Sequence, residues 1–488
     1  MISSVSNQLI SRCGLSFGLL CMFLSGCSRV DHKQSALDPK GLVAQNQYDI
    51  FMLSVWITIF LFCAVGGCLL YVLWKYRVKN EKEAKEVPPQ SHGNSKIEFG
   101  LIVASSIILV ILAVPTLQGV VLMNRVPNPD DENFERLGLK KEQVDGAITV
   151  NVTGKRYFWV FEYPQFGIVT ANEIVFPATK AVRINLRSQD VIHSFWLPKL
   201  AGKMDVMPGH ENFMWFIADE DKITQRYDAD GNFVKLSKED AMPSVFDGKM
   251  REAVFKAQEF NATFEPVGGL FYGQCAEFCG NSHAYMSFRG LAQSDDDFDA
   301  WVKRMQDAQN PNRDPRDYDP EQEYTKGSLV KFADESLEKV ADREFRALQD
   351  VNKGEAPNLS SGVWEKAHSD DYVKGEALFK NSGCIQCHVV NRSGIASAGP
   401  NLTLFGLRTS LAAGWMRNNE KNLIKWLRNS EEIKMGNLMW NGVGITDDSE
   451  LRKMKKRYDD DGNLIDDELE SENQEKARLL AVYLLGQK

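Results

Sequence analysis

Histidine is scarce in this 488-residue chain. There are seven, and four of them (His193, His210, His283 and His388) fall in short motifs or turns that already give them a place. Cysteine offers no surplus either. Its nine thiols sort into three near the N-terminus (Cys13, Cys21, Cys27), two inside an apolar run (Cys63, Cys68) and two close pairs (Cys275/Cys279, Cys384/Cys387). No set remains for a disulfide framework. Basic charge is also short: 57 Lys and Arg against 66 Asp and Glu leave a net −9. That balance argues against nucleic acid as a partner and favours a basic protein. Apolar and charged fractions are ordinary, at 43% and 25%, so any membrane segment is hidden in the average. The length calls for three or more domains.

The apolar runs are concentrated at the start. Residues 1–26 read as an export signal, with Arg12, the run Leu15–Leu24 and then small residues. Leu24-Ser-Gly-Cys27 resembles a bacterial lipoprotein signal, which implies cleavage before Cys27 and lipid on its sulfur; a non-lipidated signal or a short extra membrane helix is the alternative. After an outer segment, 27–48, come Ile50–Trp74 and Ile97–Met123, the second carrying Pro115. The first run alone spans about 37 Å as a helix, enough to cross a bilayer with some tilt. The loop between them carries Lys75, Arg77, Lys79, Lys82, Lys85 and Lys96, so it is expected inside and both chain ends outside. Cys63 and Cys68 are simplest as apolar packing residues.

From about Ala147 short strand-like stretches take over: Ile148–Val152 alternates, and Ile174–Phe176, Ala181–Leu186 and Asn212–Ile217 follow, punctuated by Pro and Gly. They predict an all-β sandwich. Asp228-Ala-Asp-Gly-Asn232 reads as a hairpin turn; a calcium loop is the weaker alternative, because no distal Glu follows at the required place. Residues 305–370 read as a polar linker with one helix near Ser336–Asp350, long enough to let the next domain move. Tyr458–Asn463 reads as another solvated hairpin, and Asp459–Glu472 as solvated surface.

Two stretches carry chemistry. Cys275-Ala-Glu-Phe-Cys-Gly-Asn-Ser-His-Ala-Tyr-Met286 offers two thiols, an imidazole and a thioether spaced C-x3-C-x3-H-x2-M. Soft sulfur with imidazole selects copper, and the methionine argues against structural zinc. His193, in Asp190-Val-Ile-His-Ser-Phe-Trp196, is the candidate for a further imidazole. A plain Cys275–Cys279 disulfide is the competing reading, although it explains neither His283 nor Met286. The second stretch, Cys384-Ile-Gln-Cys-His388, is the attachment motif for covalent haem c, with His388 as proximal ligand. A methionine downstream would complete the iron. Met416, Met435, Met439 and Met454 compete, and Lys434-Met-Gly-Asn-Leu-Met439 favours Met439, with Met435 next.

The copper loop resembles that of cytochrome c oxidase subunit II, and the flanking Lys203-Met-Asp205 and Met207-Pro-Gly209 resemble the same family, with His210 where it has arginine. The resemblance implies a binuclear CuA centre. Cys275 and Cys279 would bridge two coppers, His193 and His283 would bind one each, Met286 would be a weak axial ligand, and Glu277 would give its backbone carbonyl. The Glu277 side chain would reach a magnesium site shared with subunit I. The implied fold is a cupredoxin-like Greek-key sandwich over 124–304, interrupted by an insertion at about 221–263. Glu98, in Asn94-Ser-Lys-Ile-Glu-Phe, matches a residue at the mouth of a proton path, although capping of its own helix explains an acid there equally well. Tyr157 takes the place of the family's electron-accepting tryptophan, with Trp159 two residues on; the plain reading of this aromatic strand is sandwich core.

Tyr372–Asn381, the CxxCH motif, Gly399-Pro-Asn-Leu402 and a closing helix Glu475–Leu485 resemble a class I cytochrome c over 371–488. The expected whole is a transmembrane hairpin, a sandwich and an all-α haem domain. It would be subunit II of a proton-pumping terminal oxidase of the bacterial cytoplasmic membrane, with copper and haem on the outer side. Electrons would pass from cytochrome c or an upstream quinol-oxidising complex to haem c, CuA and the haem of subunit I, with subunit III as a further partner. The histidines available hold no oxygen-reducing centre within the membrane helices. The rival is a membrane-anchored electron carrier not assembled with an oxidase core.

Overall fold

The structure is a computed structural model that describes residues 33–79, 87, 93–125, 127, 135, 138–227, 233–257, 267–310, 316–334, 341–391, 398–439 and 467–488. The export signal, Cys27, the turn at 228–232, Met454 and the hairpin at Tyr458–Asn463 lie outside those residues.

Two apolar helices open the described chain: α1, Leu42–Lys75, and α2, Ser95–Asn124. At 34 and 30 residues they run about 50 and 45 Å, beyond the ~30 Å hydrocarbon core. The surplus of α1 is used for attachment. Gly41 bridges Ala218, Leu42 N donates to Ile217 O and Ala44 N to Leu200 O, which fastens the helix start to the sandwich. The helices cross at Gly119, where a Cβ would come within 2.9 Å of Ile50; a small residue lets the backbones approach. Asn94 caps α2 by accepting from the amides of Lys96 and Ile97.

The sandwich has two five-stranded sheets, ordered β3-β2-β1-β5-β8 and β4-β12-β11-β6-β7. The first holds β1 Ile148–Lys155, β2 Phe158–Tyr163, β3 Ile168–Ala171, β5 Val182–Ser188 and β8 Asn212–Phe216. The second holds β4 Glu173–Pro177, β6 His193–Trp196, β7 Lys203–Val206, β11 Leu270–Cys275 and β12 Ser287–Gln293. Trp159, Phe161, Phe195 and Phe288 are buried together in the sandwich core, with Phe195 stacked on Phe288 at 4.5 Å. Within the insertion, β9 Gln225–Tyr227 pairs with β10 Phe233–Lys235, and helix α3, Lys249–Ala257, follows. Ser294 then caps α4, Asp295–Gln309, whose Trp301 packs on Tyr163. This helix runs past residue 304, the expected end of the domain.

The segment 305–370 departs from its reading as a linker. It contains a four-stranded sheet, β13 Arg316–Asp317, β14 Leu329–Asp334, β15 Ala341–Ala347 and β16 Trp364–Lys366, around Tyr324, Val330, Phe345, Val351 and Trp364. Where a helix was expected over Ser336–Asp350, residues 341–347 form a strand. The physical reason is alternation: Phe345 and Ala347 are buried while Arg346 between them is exposed. A period of two hidden among charges looks polar to a composition argument.

In the haem domain Ser369 caps α5, Asp370–Asn381; α6, Cys384–Cys387, is one turn; α7 is Glu420–Ile433 and α8 Asp467–Leu485. The first and last helices cross at Gly375, where a Cβ would lie 2.1 Å from Leu479 O, so only glycine fits. Phe379, Leu423, Leu427, Leu480 and Leu484 form its core.

Candidate metal centre and haem cavity

The pairing of β11 with β6 brings the two halves of the first site together. Cys275 ends β11 opposite Phe195, so His193 at the start of β6 falls beside the loop. The loop is closed by Cys275 N donating to Met286 O at 2.9 Å and Ala276 N to Ser194 O at 2.9 Å. Gly154 leaves space for the His193 ring, which a Cβ there would approach to 2.8 Å.

Five side chains converge. Cys275 Sγ lies 3.8 Å from Cys279 Sγ and 3.8 Å from His193 Nδ1, while Cys279 Sγ lies 3.6 Å from His283 Nδ1 and 3.8 Å from Met286 Sδ. The Glu277 carbonyl oxygen is 3.2 Å from Cys275 Sγ. A sulfur separation of 3.8 Å is far beyond the ~2.05 Å of a disulfide, so the pair is held apart as two thiols. His193, Cys275 and Cys279 are buried, and Met286 is fully so. Sulfur contact with Cys279 pulls Cys275 down to about 4, while the same contact pushes Cys279 up. Two thiolates this close need a cation between them. Soft sulfur and imidazole at this spacing fit copper, and the donor set leaves no role for a hard cation among those five side chains.

The surroundings orient the donors. Asp190 Oδ1 lies 2.8 Å from His193 Nε2, which leaves Nδ1 facing the sulfurs. Burial opposes charge on His193, but Asp190 and Cys275 outweigh it and hold its pKa above the ordinary value. Asp190 was legible only as a neighbour of His193 in the chain; a carboxylate three residues before a ligand histidine is the available signal. Glu277 and Phe278 are exposed beside the loop.

The second site is a partly open apolar cleft. Cys384, Cys387 and His388 line it together with Phe379, Leu427 and Met439. His388 Nδ1 lies 2.9 Å from Pro400 O, and burial holds its pKa below the ordinary value, so the ring is neutral with Nε2 free to bind. Of the competing methionines, Met439 lines the cleft and its amide donates to Asn437 Oδ1; Met435 is 64% exposed. An apolar cleft lined by two thiols and an imidazole fits a covalently attached haem.

That cleft is not built by the haem domain alone. Arg156, Tyr157, Phe158 and Asn172 of the sandwich also line it. Tyr157 is 5% exposed, and its hydroxyl oxygen lies 2.5 Å from where a Cβ on Gly280 would stand and 3.5 Å from one on Gly436. It is thus wedged between the copper loop and the Met439 loop. Trp159 is fully buried against His193, Phe195 and Phe288, so it offers no surface to a partner and belongs to the core. Glu98 sits in the first turn of α2, next to the Asn94 cap, and His210 is exposed.

These features define a membrane-anchored electron-transfer protein: an apolar helical hairpin, a cupredoxin-like sandwich with a sulfur-rich loop, and a c-type haem domain seated against it. Family models agree. "Cytochrome C oxidase subunit II, periplasmic domain" matches residues 167–228, and "Cytochrome c" matches 372–456. The chain is 31% identical to cytochrome c oxidase subunit 2 of Alkalihalophilus pseudofirmus over 426 residues, covering 87% of this chain and 90% of that one. It is 29% identical to cytochrome c oxidase subunit 2 of Bacillus subtilis over 444 residues, covering 90% and 94%. A solved periplasmic domain of cytochrome oxidase subunit II from Bradyrhizobium japonicum is 26% identical, with 32% of this chain and 92% of that one covered and a TM-score of 0.22. The chain belongs to the cytochrome c oxidase subunit 2 family and is a subunit of a haem–copper oxidase with an attached cytochrome c domain.

Proposed function

We propose that this subunit is the electron-accepting arm of its oxidase. It would take electrons from cytochrome c or an upstream quinol-oxidising complex at haem c and pass them by way of a binuclear CuA centre to the haem of subunit I. The observation that carries the reading is the convergence of two thiols, two imidazoles and a thioether within 3.8 Å steps, beside a CxxCH cleft that the same sandwich helps to line. Cys275, Cys279, His193, His283, Met286 and the Glu277 carbonyl would hold the copper. Cys384, Cys387, His388 and Met439, which line the cleft, would hold the haem. A thiolate-bridged copper pair and a c-type haem each exchange one electron with little change of shape.

The chain's own residues supply orientation and dryness. Asp190 fixes the His193 tautomer, Pro400 fixes that of His388, and Trp159, Phe195 and Phe288 keep water from the copper side. With the lysine-rich loop inside, both redox domains face the outer side of the membrane, and lipid on Cys27 would anchor the chain further. The exposed Glu277 carboxylate is the candidate for magnesium shared with subunit I, which with subunit III would complete the complex. Glu98 is assigned to proton uptake; proton pumping unchanged in a Glu98→Ala oxidase removes that assignment. The test of the relay is metal and optical analysis of the purified full chain. Two coppers per haem c with a mixed-valence near-infrared band are expected, and a single zinc would overturn the copper reading.

A further inference from the structure

The neighbouring parallel strands β4 and β12 set an acid beside a base. Glu173 and Arg289 are register partners, each 5% exposed, and both side chains end in the haem domain. Glu173 Oε1 accepts four hydrogen bonds: from Thr409 N at 2.9 Å, Ser410 N at 2.9 Å, Thr409 Oγ1 at 2.5 Å and Ser410 Oγ at 3.0 Å. Arg289 Nη2 donates to Gly414 O at 2.5 Å, and Ser287 N to Ala413 O at 3.1 Å. A second grip comes from α3 in the insertion. Arg251 Nη2 donates to Gly406 O at 2.6 Å and Arg408 O at 3.2 Å, and the Arg417 guanidinium sits 5.7 Å over the Phe255 ring. Across the cleft, buried Lys434 donates to Tyr157 O at 2.5 Å, and Ser282 Oγ to Met435 O at 2.6 Å.

The energetics favour a lasting contact. Hydrogen bonds to a charged acceptor are about twice as strong as neutral ones. Glu173 also supplies the negative field that opposes the cost of burying Arg251, Arg289 and Arg408. Taking that carboxylate out of the interface leaves buried guanidinium groups uncompensated, which is strongly unfavourable. Transient electron-transfer contacts, by contrast, are small and loosely held.

We propose that α3 and the β4–β12 pair form a clamp, anchored by Glu173, which keeps the haem domain docked on the copper domain throughout turnover. Haem and copper loop then face each other across a fixed gap, and the segment 305–370 does not serve as a swinging tether. Glu173 is a positioning residue, since it touches neither centre. The proposal rests on the relay reading above.

The test uses the assembled oxidase with haem c reduced by a flash. In the unaltered protein, transfer from haem to copper is expected to keep the same rate as glycerol raises the viscosity and as salt rises to molar levels. In Glu173→Ala it should slow at least about tenfold, because loss of alignment is costly in an intramolecular step, and become viscosity-dependent. The spectra of both centres and the KM for the external donor should stay unchanged, and the amides of Thr409 and Ser410 should exchange faster with solvent. Glu173→Gln, which keeps an acceptor oxygen, should fall between the two. A viscosity-dependent rate in the unaltered oxidase overturns the clamp without any variant, and so does a Glu173→Ala rate equal to it. If Glu173→Ala fails to assemble, the unaltered rate and amide exchange in Glu173→Gln decide. Absence of any haem-to-copper transfer in the unaltered protein is a different result: it overturns the relay itself.

Discussion

Cys279→Ser is expected to leave a folded, haem-bearing chain that cannot feed its oxidase. Cys279 stands at the middle of the cluster, 3.8 Å from Cys275 and Met286 sulfurs and 3.6 Å from His283 Nδ1. Serine is nearly the same size, so the buried loop and its backbone bonds should persist. A hydroxyl is a hard, neutral donor, however, and a poor substitute for a thiolate on soft copper. Losing a residue that merely supports a metal ligand costs about 10–100-fold in metal affinity or activity. Losing a shared ligand should exceed that, so we expect turnover with a reduced donor to fall by more than about 100-fold and the near-infrared band to vanish. The CxxCH haem should still bind and become reduced, because His388 is held by Pro400 within its own domain. Reduced haem c accumulating while oxygen uptake stops is the diagnostic pattern. Full turnover in this variant would show that the sulfur cluster is not on the route.

The cluster was readable because four of its side-chain donors share one twelve-residue loop, with ligand type and spacing both written locally. His193 lies 82 residues from Cys275, yet its own stretch marked it. The sandwich was readable for a similar reason, since Ile148–Val152 alternates and further short β-forming stretches follow it. Docking of the haem domain was not. Glu173 is 236 residues from Thr409 in the chain, and nothing local distinguishes a carboxylate that grips another domain from one that faces water. The same holds for Arg251, which lies in the insertion. The small sheet over 316–366 was not legible because its alternation, as at Phe345 and Ala347, is set among charges, and Tyr157 was legible as an aromatic but not as a wedge between two loops. What failed in each case was pairing at long range, which composition and periodicity do not carry.

Met439→Ala should shift the haem more than any other change in its domain outside the CxxCH motif. Methionine opposite histidine raises the potential of a c-type iron. Axial ligands tune haem potentials over a range of roughly 0.8 V, so a drop of about 0.1 V or more is expected when the thioether is lost. For a one-electron couple ~59 mV is a factor of ten, so a fall of ~0.1 V changes the exchange equilibrium by about 50-fold. The direction of that change separates two steps. Passing an electron from the low-potential haem to copper becomes more favourable, whereas taking one from a mild external donor becomes less so. Turnover supported by external cytochrome should therefore fall by about that factor, while transfer after a flash that reduces the haem directly should not slow for thermodynamic reasons. The control is Met435→Ala. Met435 is 64% exposed, and its carbonyl accepts from Ser282 Oγ. It should leave the potential and the reduced spectrum where they are. Spectroelectrochemical titration of the two variants decides the ligand: a potential that moves in Met435→Ala and stays fixed in Met439→Ala would reverse the assignment, and with it the reason Asn437 holds the Met439 amide at 3.0 Å.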